Sequence, residues 1–218
     1  MRTRIKICCI SSIEEAKMAI EAGADAIGLV GKMPSGPGPI TDDLIRKIAS
    51  IVPPPVDTFL LTSETKSSSL INHYKRALTR TIQIVDKPDE DVYRRIRDEL
   101  PWVKIVQVIH VTGIDSVEEA IKASAETDAI LLDSGNPSAK IRELGGTGRV
   151  HDWSLSRQIR QHAKCPVILA GLRPENVSQA IAEVEPYAVD VCSGVRTDGK
   201  LDSGKLKEFI KNVYSSNR

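Results

Sequence analysis

Aromatic residues are scarce in this chain: two Trp, four Tyr and two Phe make 4% of 218 residues, so aliphatic side chains must fill its core. A surplus of charge of either sign is missing too. With 30 Lys and Arg against 29 Asp and Glu the formal charge is +1, which gives no basic field to gather a phosphate backbone, and no nucleic-acid partner is expected. No apolar run approaches the roughly 18 to 20 residues that span a bilayer. The Met1-Arg2-Thr3-Arg4 start leads into a strand pattern instead of a signal segment, so no membrane partner and a cytoplasmic location are expected. Four cysteines, Cys8, Cys9, Cys165 and Cys192, show neither CxxC nor Cys/His ligand spacing nor the density of a disulfide scaffold. Reduced thiols and no metal are the expectation.

What the chain has is alternation. Short aliphatic runs and longer amphipathic segments follow each other at a spacing of roughly 27 residues, close to the ~30 of a strand-plus-helix repeat. Strands are predicted over residues 4–10 (RIKICCI), 26–30 (AIGLV), 56–62 (VDTFLLT), 80–85 (RTIQIV), 104–111 (KIVQVIHV), 129–133 (AILLD), 166–170 (PVILA) and 188–192 (AVDVC). Helices are predicted over 12–23, 41–51, 66–78, 89–99, 116–125, 153–163, 175–184 and 203–215. Start signals include Ser11 with Glu14 three residues on, Ser116 with Glu119, and Pro174 before Glu175. Eight strands alternating with eight helices, with no Gly/Ser-rich linker and no second hydrophobic centre, predict an α/β fold: a single-domain (β/α)8 TIM barrel over residues 1–218. A doubly wound open sheet uses the same alternation and is the competing fold.

A barrel gathers chemistry where its strands end and the following loops begin. In the first predicted strand, Arg4, Lys6 and Cys8 alternate with Ile5, Ile7 and Cys9, and the second set is expected to face the helices. Cys8 then points into the barrel mouth. Asp133 ends the sixth strand, and Asp190 shares the inward face of the eighth with Cys192. The first and last strands become neighbours when a barrel closes, so an inward Lys6 and an inward Asp190 are expected to form an ion pair, because either charge alone would be costly to bury. His110 and His151 lack a third ligand at suitable spacing and read as structural histidines.

Six segments carry a family resemblance in chain order. KIC at residues 6–8, AGADAIG at 22–28, LLD at 131–133, GGTG at 145–148 followed by HDWS at 151–154, PENV at 174–177 and VDVCSGV at 189–195 resemble the phosphoribosylanthranilate isomerases of tryptophan biosynthesis. The resemblance implies a (β/α)8 barrel, no cofactor, a small phosphorylated sugar substrate, and an Amadori rearrangement of an N-ribosylated aryl amine 5-phosphate to a 1-amino-1-deoxyketose phosphate. It also implies that Cys8 is the general base and Asp133 the general acid. The residue types suit that chemistry, since ring opening needs a proton delivered to the ring oxygen and enamine formation needs one removed from C2. A thiol acts as a base only when ionised. Read without the resemblance, Cys8 is equally a small buried hydrophobe and Asp133 a turn residue before Ser134-Gly135-Asn136-Pro137.

A barrel usually holds phosphate at the loops after its seventh and eighth strands. Gly171, Ser193 and Gly194 lie there, and Gly145-Gly146-Thr147 adds a third edge, so Gly146, Gly171, Ser193 and Gly194 are the phosphate-binding candidates. Lys6 and Asp190 are substrate-binding candidates. The chain departs from the family pattern in the loop Met33-Pro34-Ser35-Gly36-Pro37-Gly38, where Gly38 stands in place of a substrate-engaging arginine. Lys32 and Arg196 are the cations expected to replace it. Cys9 stands where the family has glycine, Gln83-Ile84-Val85-Asp86 where it tends to have Gln-Leu-His-Gly, and Gly171 where it has a pair of glycines. The competing functional readings are a related barrel isomerase acting on another N-substituted ribosylamine phosphate, and a barrel that binds a sugar phosphate without turning it over. A homodimer is an allowed assembly that the sequence does not decide.

Overall fold

The aliphatic runs form the strands β1 (Arg4–Ile7), β2 (Ala26–Val30), β3 (Asp57–Thr62), β4 (Thr81–Ile84), β5 (Lys104–His110), β6 (Ala129–Asp133), β7 (Val167–Leu169) and β8 (Ala188–Val191). Between and after them come the helices α1 (Ile13–Ala22), α2 (Asp42–Ile51), α3 (Ser67–Ala77), α4 (Val92–Glu99), α5 (Asp115–Ser124), α6 (Trp153–His162), α7 (Val177–Val184) and α8 (Ser203–Ser215). The computed structural model describes residues 2–34, 36–135 and 151–216. These eight strands are all parallel and close in the order β1 to β8, with Arg4 to Ile7 of β1 paired to Ala188 to Val191 of β8. That last pairing excludes the open sheet. No helix among the described residues is long and apolar enough to cross a membrane.

Alternation along each strand divides the core in two. Outward residues such as Ile5, Ile7, Ile27, Leu29, Leu60 and Ile82 pack under Ile45, Ile48, Leu70, Ile96 and Phe209 of the helices. Inward residues such as Ala26, Phe59, Val106, Leu131 and Ile168 fill the barrel itself. With so few aromatic side chains, the packing is mainly aliphatic, as the composition requires.

Local structure differs from the sequence reading at several ends. The first strand stops at Ile7 instead of residue 10, because Cys9 adopts a left-handed backbone at φ 61° and breaks the alternation. Cys9 therefore belongs to the inner cluster and not to the helix face. The cap of α1 is one residue later than expected: Ser12 accepts from the Glu15 amide, while the Glu15 carboxylate accepts from Ser11. Ser116 caps nothing; its hydroxyl donates to the His110 carbonyl and accepts from the Thr112 amide. Pro174 lies in the turn before α7, which begins at Val177. A short hairpin, β9 (Arg196–Thr197) with β10 (Lys200–Leu201), was not foreseen, although Asp198-Gly199 between its strands is a strong two-residue hairpin signal.

That hairpin is fastened to the start of the barrel. The Glu15 carboxylate on α1 receives both Arg196 guanidinium nitrogens at 3.0 Å and the Leu201 amide at 2.9 Å. Burial pushes the Glu15 carboxyl up, but Arg196 and the amides of Leu201 and Ser11 outweigh it and hold the group down at about 2. A carboxyl depressed in the folded state contributes stability above its unfolded pKa and loses it as the pH falls toward the folded value. Glu15→Gln should therefore lose about 1.5 to 3 kcal/mol at neutral pH, the range for hydrogen bonds to charged groups. In urea titrations the gap from the parent protein should narrow as the pH is lowered from about 4.5 toward 2; a gap that stays constant over that range would remove the ionic account.

Candidate active site

Below the mouth lies a charge that has no access to water. Lys6 is 2% exposed, and its Nζ donates to Asp190 Oδ1 at 2.8 Å across the β1–β8 seam, where the two residues are register partners. The ammonium also sits 5.2 Å from the centre of the Phe59 ring, a cation–π contact. The ion pair expected from barrel closure is present. Burial pushes the Lys6 pKa down, but Asp190 and then Cys8 outweigh it and raise the Lys6 pKa. Burial pushes the Asp190 carboxyl up, against the downward pull of Lys6.

Cys8 is the next inward residue after Lys6. A slot for it is provided by Gly28 on β2, where a Cβ would lie 2.9 Å from the Cys8 Sγ and 3.1 Å from Lys6 Nζ. The Cys9 thiol donates to the Cys8 sulfur at 3.9 Å. That donation is the main influence lowering the Cys8 pKa; burial opposes it, and the Lys6 charge adds to it. The Cys9 thiol is raised, by its contacts with Cys192 and Cys8 and by burial. Of these two adjacent sulfurs, Cys8 is thus the one favoured as thiolate and Cys9 the one that keeps its proton.

Two departures from the family pattern are a single packing event. At φ 61° a side chain costs about 1 to 2 kcal/mol relative to glycine. The Arg196 guanidinium donates to the Cys9 carbonyl and helps hold that conformation. The Cys9 Cβ occupies the place where residue 38 would begin its own side chain: a Cβ on Gly38 would approach it to 2.8 Å, and Gly38 itself is left-handed at φ 85°. A side chain at 9 therefore requires glycine at 38.

Across the mouth, Asp133 ends β6, is 7% exposed, and accepts from the Ser134 amide through Oδ1 at 2.7 Å. Cys8, Asp133, Asp190, Gly171 and Ser193 line one cavity at the C-terminal ends of the strands. Gly171 is left-handed at φ 76°. Gly194 stands behind this lining and lets the loops after β7 and β8 touch, since a Cβ there would come within 2.4 Å of the Leu172 carbonyl oxygen. Gly146, with Gly145 and Thr147, lies outside the described residues.

Two expected site residues are elsewhere. Arg196 does not present its charge to the mouth, because its guanidinium is taken up by Glu15, the Cys9 carbonyl and the Gly199 carbonyl. The partner that claims it is 181 residues away, so no spacing signal revealed the pair. Lys32 is exposed and lies outside the cavity lining, while its neighbour Met33 forms part of it. His110 bonds the Val85 carbonyl at 2.9 Å and His151 the Ser156 hydroxyl at 2.7 Å.

The comparisons with known proteins bear on the family and the fold. Residues 5–212 match the family model for N-(5'-phosphoribosyl)anthranilate (PRA) isomerase. An N-(5'-phosphoribosyl)anthranilate isomerase of Methanocella arvoryzae is 36% identical over 213 residues, covering 97% of this chain and 98% of the relative. The crystal structure of phosphoribosyl anthranilate isomerase from Thermotoga maritima superposes with a TM-score of 0.84 at 31% identity, covering 98% of this chain and 99% of that one. A second solved phosphoribosyl anthranilate isomerase, at 29% identity and a TM-score of 0.81 over 98% of this chain and 99% of its own, holds reduced 1-(o-carboxyphenylamino)-1-deoxyribulose 5-phosphate.

The thiol pair yields a direct test. Cys9→Ala keeps the Cβ that packs on Gly38 and removes the hydrogen-bond donor to Cys8. The pH midpoint for alkylation of Cys8 by iodoacetamide, followed by mass spectrometry, should move to higher pH in this variant. An unmoved midpoint would mean that Lys6, not the Cys9 thiol, governs the ionisation.

Proposed function

Because the chain belongs to the N-(5'-phosphoribosyl)anthranilate isomerase family, we propose that it catalyses the Amadori rearrangement of N-(5-phosphoribosyl)anthranilate to the 1-deoxyribulose 5-phosphate product in tryptophan biosynthesis, with Cys8 as base and Asp133 as acid. This is an aldose-ketose isomerisation, an intramolecular oxidoreduction that needs no cofactor. The observation that carries the residue roles is the pairing, in one cavity, of a sulfur biased toward thiolate with a carboxyl group on the far side of the mouth.

Asp133 gives its proton to the ribose ring oxygen, the C1–O bond breaks, and the nitrogen lone pair forms a protonated Schiff base at C1. The Cys8 thiolate then takes the proton from C2, and the electron pair released neutralises the iminium nitrogen as an enaminol. Transfer of the enol proton away from oxygen and protonation at C1 complete the ketose. Every atom of the substrate is retained. Lys6 acts from below: its charge favours the thiolate before the C2 proton is taken, and Asp190 holds that charge in place. Opposed acid and base on one rim are what ring opening and C2 deprotonation demand, whereas a barrel that only bound sugar phosphate would need neither.

In this reading the 5-phosphate lies at the loops after β7 and β8. Gly171 lines the cavity in a left-handed conformation, Ser193 lines it too, and Gly194 brings the two loops together. Backbone amides in such a cradle suit a phosphate without adding a buried cation.

Fluorescence-monitored turnover of phosphoribosylanthranilate tests the roles. Cys8→Ser and Asp133→Asn should each lower kcat by about 10² to 10⁴, the usual contribution of a general base or acid, with thermal midpoints close to the parent protein's. Parent-level turnover in either variant would remove that residue from the chemistry.

A further inference from the structure

Gln83 is the polar side chain of the mouth that the mechanism above leaves unused. It projects inward from β4 between the outward residues Ile82 and Ile84, is 3% exposed, and lines the cavity. Its Oε1 finds no hydrogen-bond donor among the described residues. The contrast with Gln107 on the neighbouring strand is sharp. That residue's Oε1 accepts from the Tyr93 hydroxyl, and its Nε2 donates to the carbonyls of Ile84, Asp86 and Val108. A buried carbonyl oxygen without a donor is unfavourable, so the fold has a reason to be rid of Gln83 unless something else uses it.

The barrel order says what could use it. In a ring of eight strands β4 stands opposite β8. A five-carbon chain with its 5-phosphate at the loops after β7 and β8 points C1 and its nitrogen toward the far wall. Among the described residues, Leu61, Val108, Met33 and Pro37 line the cavity with Gln83, and that wall is apolar apart from this one amide. An aryl ring fits such a wall, and the polar atom attached to it is a nitrogen that carries hydrogen. We propose that Gln83 Oε1 accepts the substrate's N–H, and that the site thereby selects secondary N-substituted ribosylamine phosphates by their nitrogen. This inference rests on the isomerase reading.

The contact does more than bind. When Asp133 protonates the ring oxygen, the same N–H becomes that of an iminium cation, and a hydrogen bond to a charged donor is shorter and about twice as strong as a neutral one. Gln83 thus holds the nitrogen most tightly at the stage where positive charge has developed, which favours kcat over KM.

The experiment compares Gln83→Met and Gln83→Glu with the parent protein on two substrates, phosphoribosylanthranilate and N-(5-phosphoribosyl)aniline, which lacks the ring carboxylate. Gln83→Met keeps the bulk without the acceptor. It should lower kcat about tenfold on both substrates while its thermal midpoint stays level or rises, because an unpaired buried oxygen has gone. Gln83→Glu retains an acceptor and should recover part of the loss. Parent-level kcat in Gln83→Met overturns the proposal. So does a penalty seen with the anthranilate substrate alone, which would mean that Gln83 reads the carboxylate. A joint fall of activity and thermal midpoint that Glu does not relieve would make Gln83 merely structural. Failure of the parent protein to turn over either substrate removes the isomerase reading itself, and this inference with it.

Discussion

The Lys6–Asp190 ion pair is the constraint around which the barrel and its site are arranged. An ammonium this deeply buried is tolerable only with a carboxylate in contact, and the carboxylate comes from the last strand of the barrel. The pair is made only if β1 and β8 meet in one register, because a slip of a single residue would turn Lys6 toward the helices. Its position one alternation below Cys8 places a fixed positive charge beside that sulfur. One interaction thus sets the seam and the register, and its ammonium adds to the Cys9 thiol in favouring the Cys8 thiolate. Gly28 on the other flank belongs to the same arrangement, since any side chain there would displace both the sulfur and the ammonium.

Most of the architecture was legible because it depends on local periodicity. AIGLV and AILLD gave their strands residue for residue, and the alternation of Lys6 with Ile5 and Ile7 was enough to aim Lys6 and Cys8 inward. Legibility failed where long-range contacts decide. Arg196 looked like a cation awaiting substrate because nothing in sequence joins it to Glu15. Cys9 looked like a helix-facing residue because strand alternation was carried one step past the point where the backbone turns left-handed. The capping register of α1 moved by one residue for a related reason: Glu15, not Glu14, is the acid that both Arg196 and the Ser11 amide require. Gln83 carries a signal that was available, a polar residue at the inward phase of a buried strand, but its meaning appears only when its neighbours prove unable to satisfy it.

The Cys9 and Gly38 positions show how a departure from a family pattern can be coherent. Taken separately, each substitution looks like damage, one adding strain and the other removing a charge. Packed together, they exchange a side chain from the loop after β2 for one at the end of β1, in the same space. The added side chain brings a sulfur that donates to Cys8, so the exchange trades a loop side chain for a hydrogen bond to that thiol.

The distance along the chain between Lys6 and Asp190, 184 residues, bears on how the protein is made. Synthesis delivers β1 first and β8 nearly last, so for most of elongation Lys6 lacks its carboxylate and water screens its charge from the nearby Cys8. Over that interval the sulfur is an ordinary thiol, slow toward electrophiles and oxidants. Its reactivity arrives with closure of the ring, when the site that confines it is complete. The Cys8 sulfur is therefore slow to react during the period when the polypeptide is most exposed.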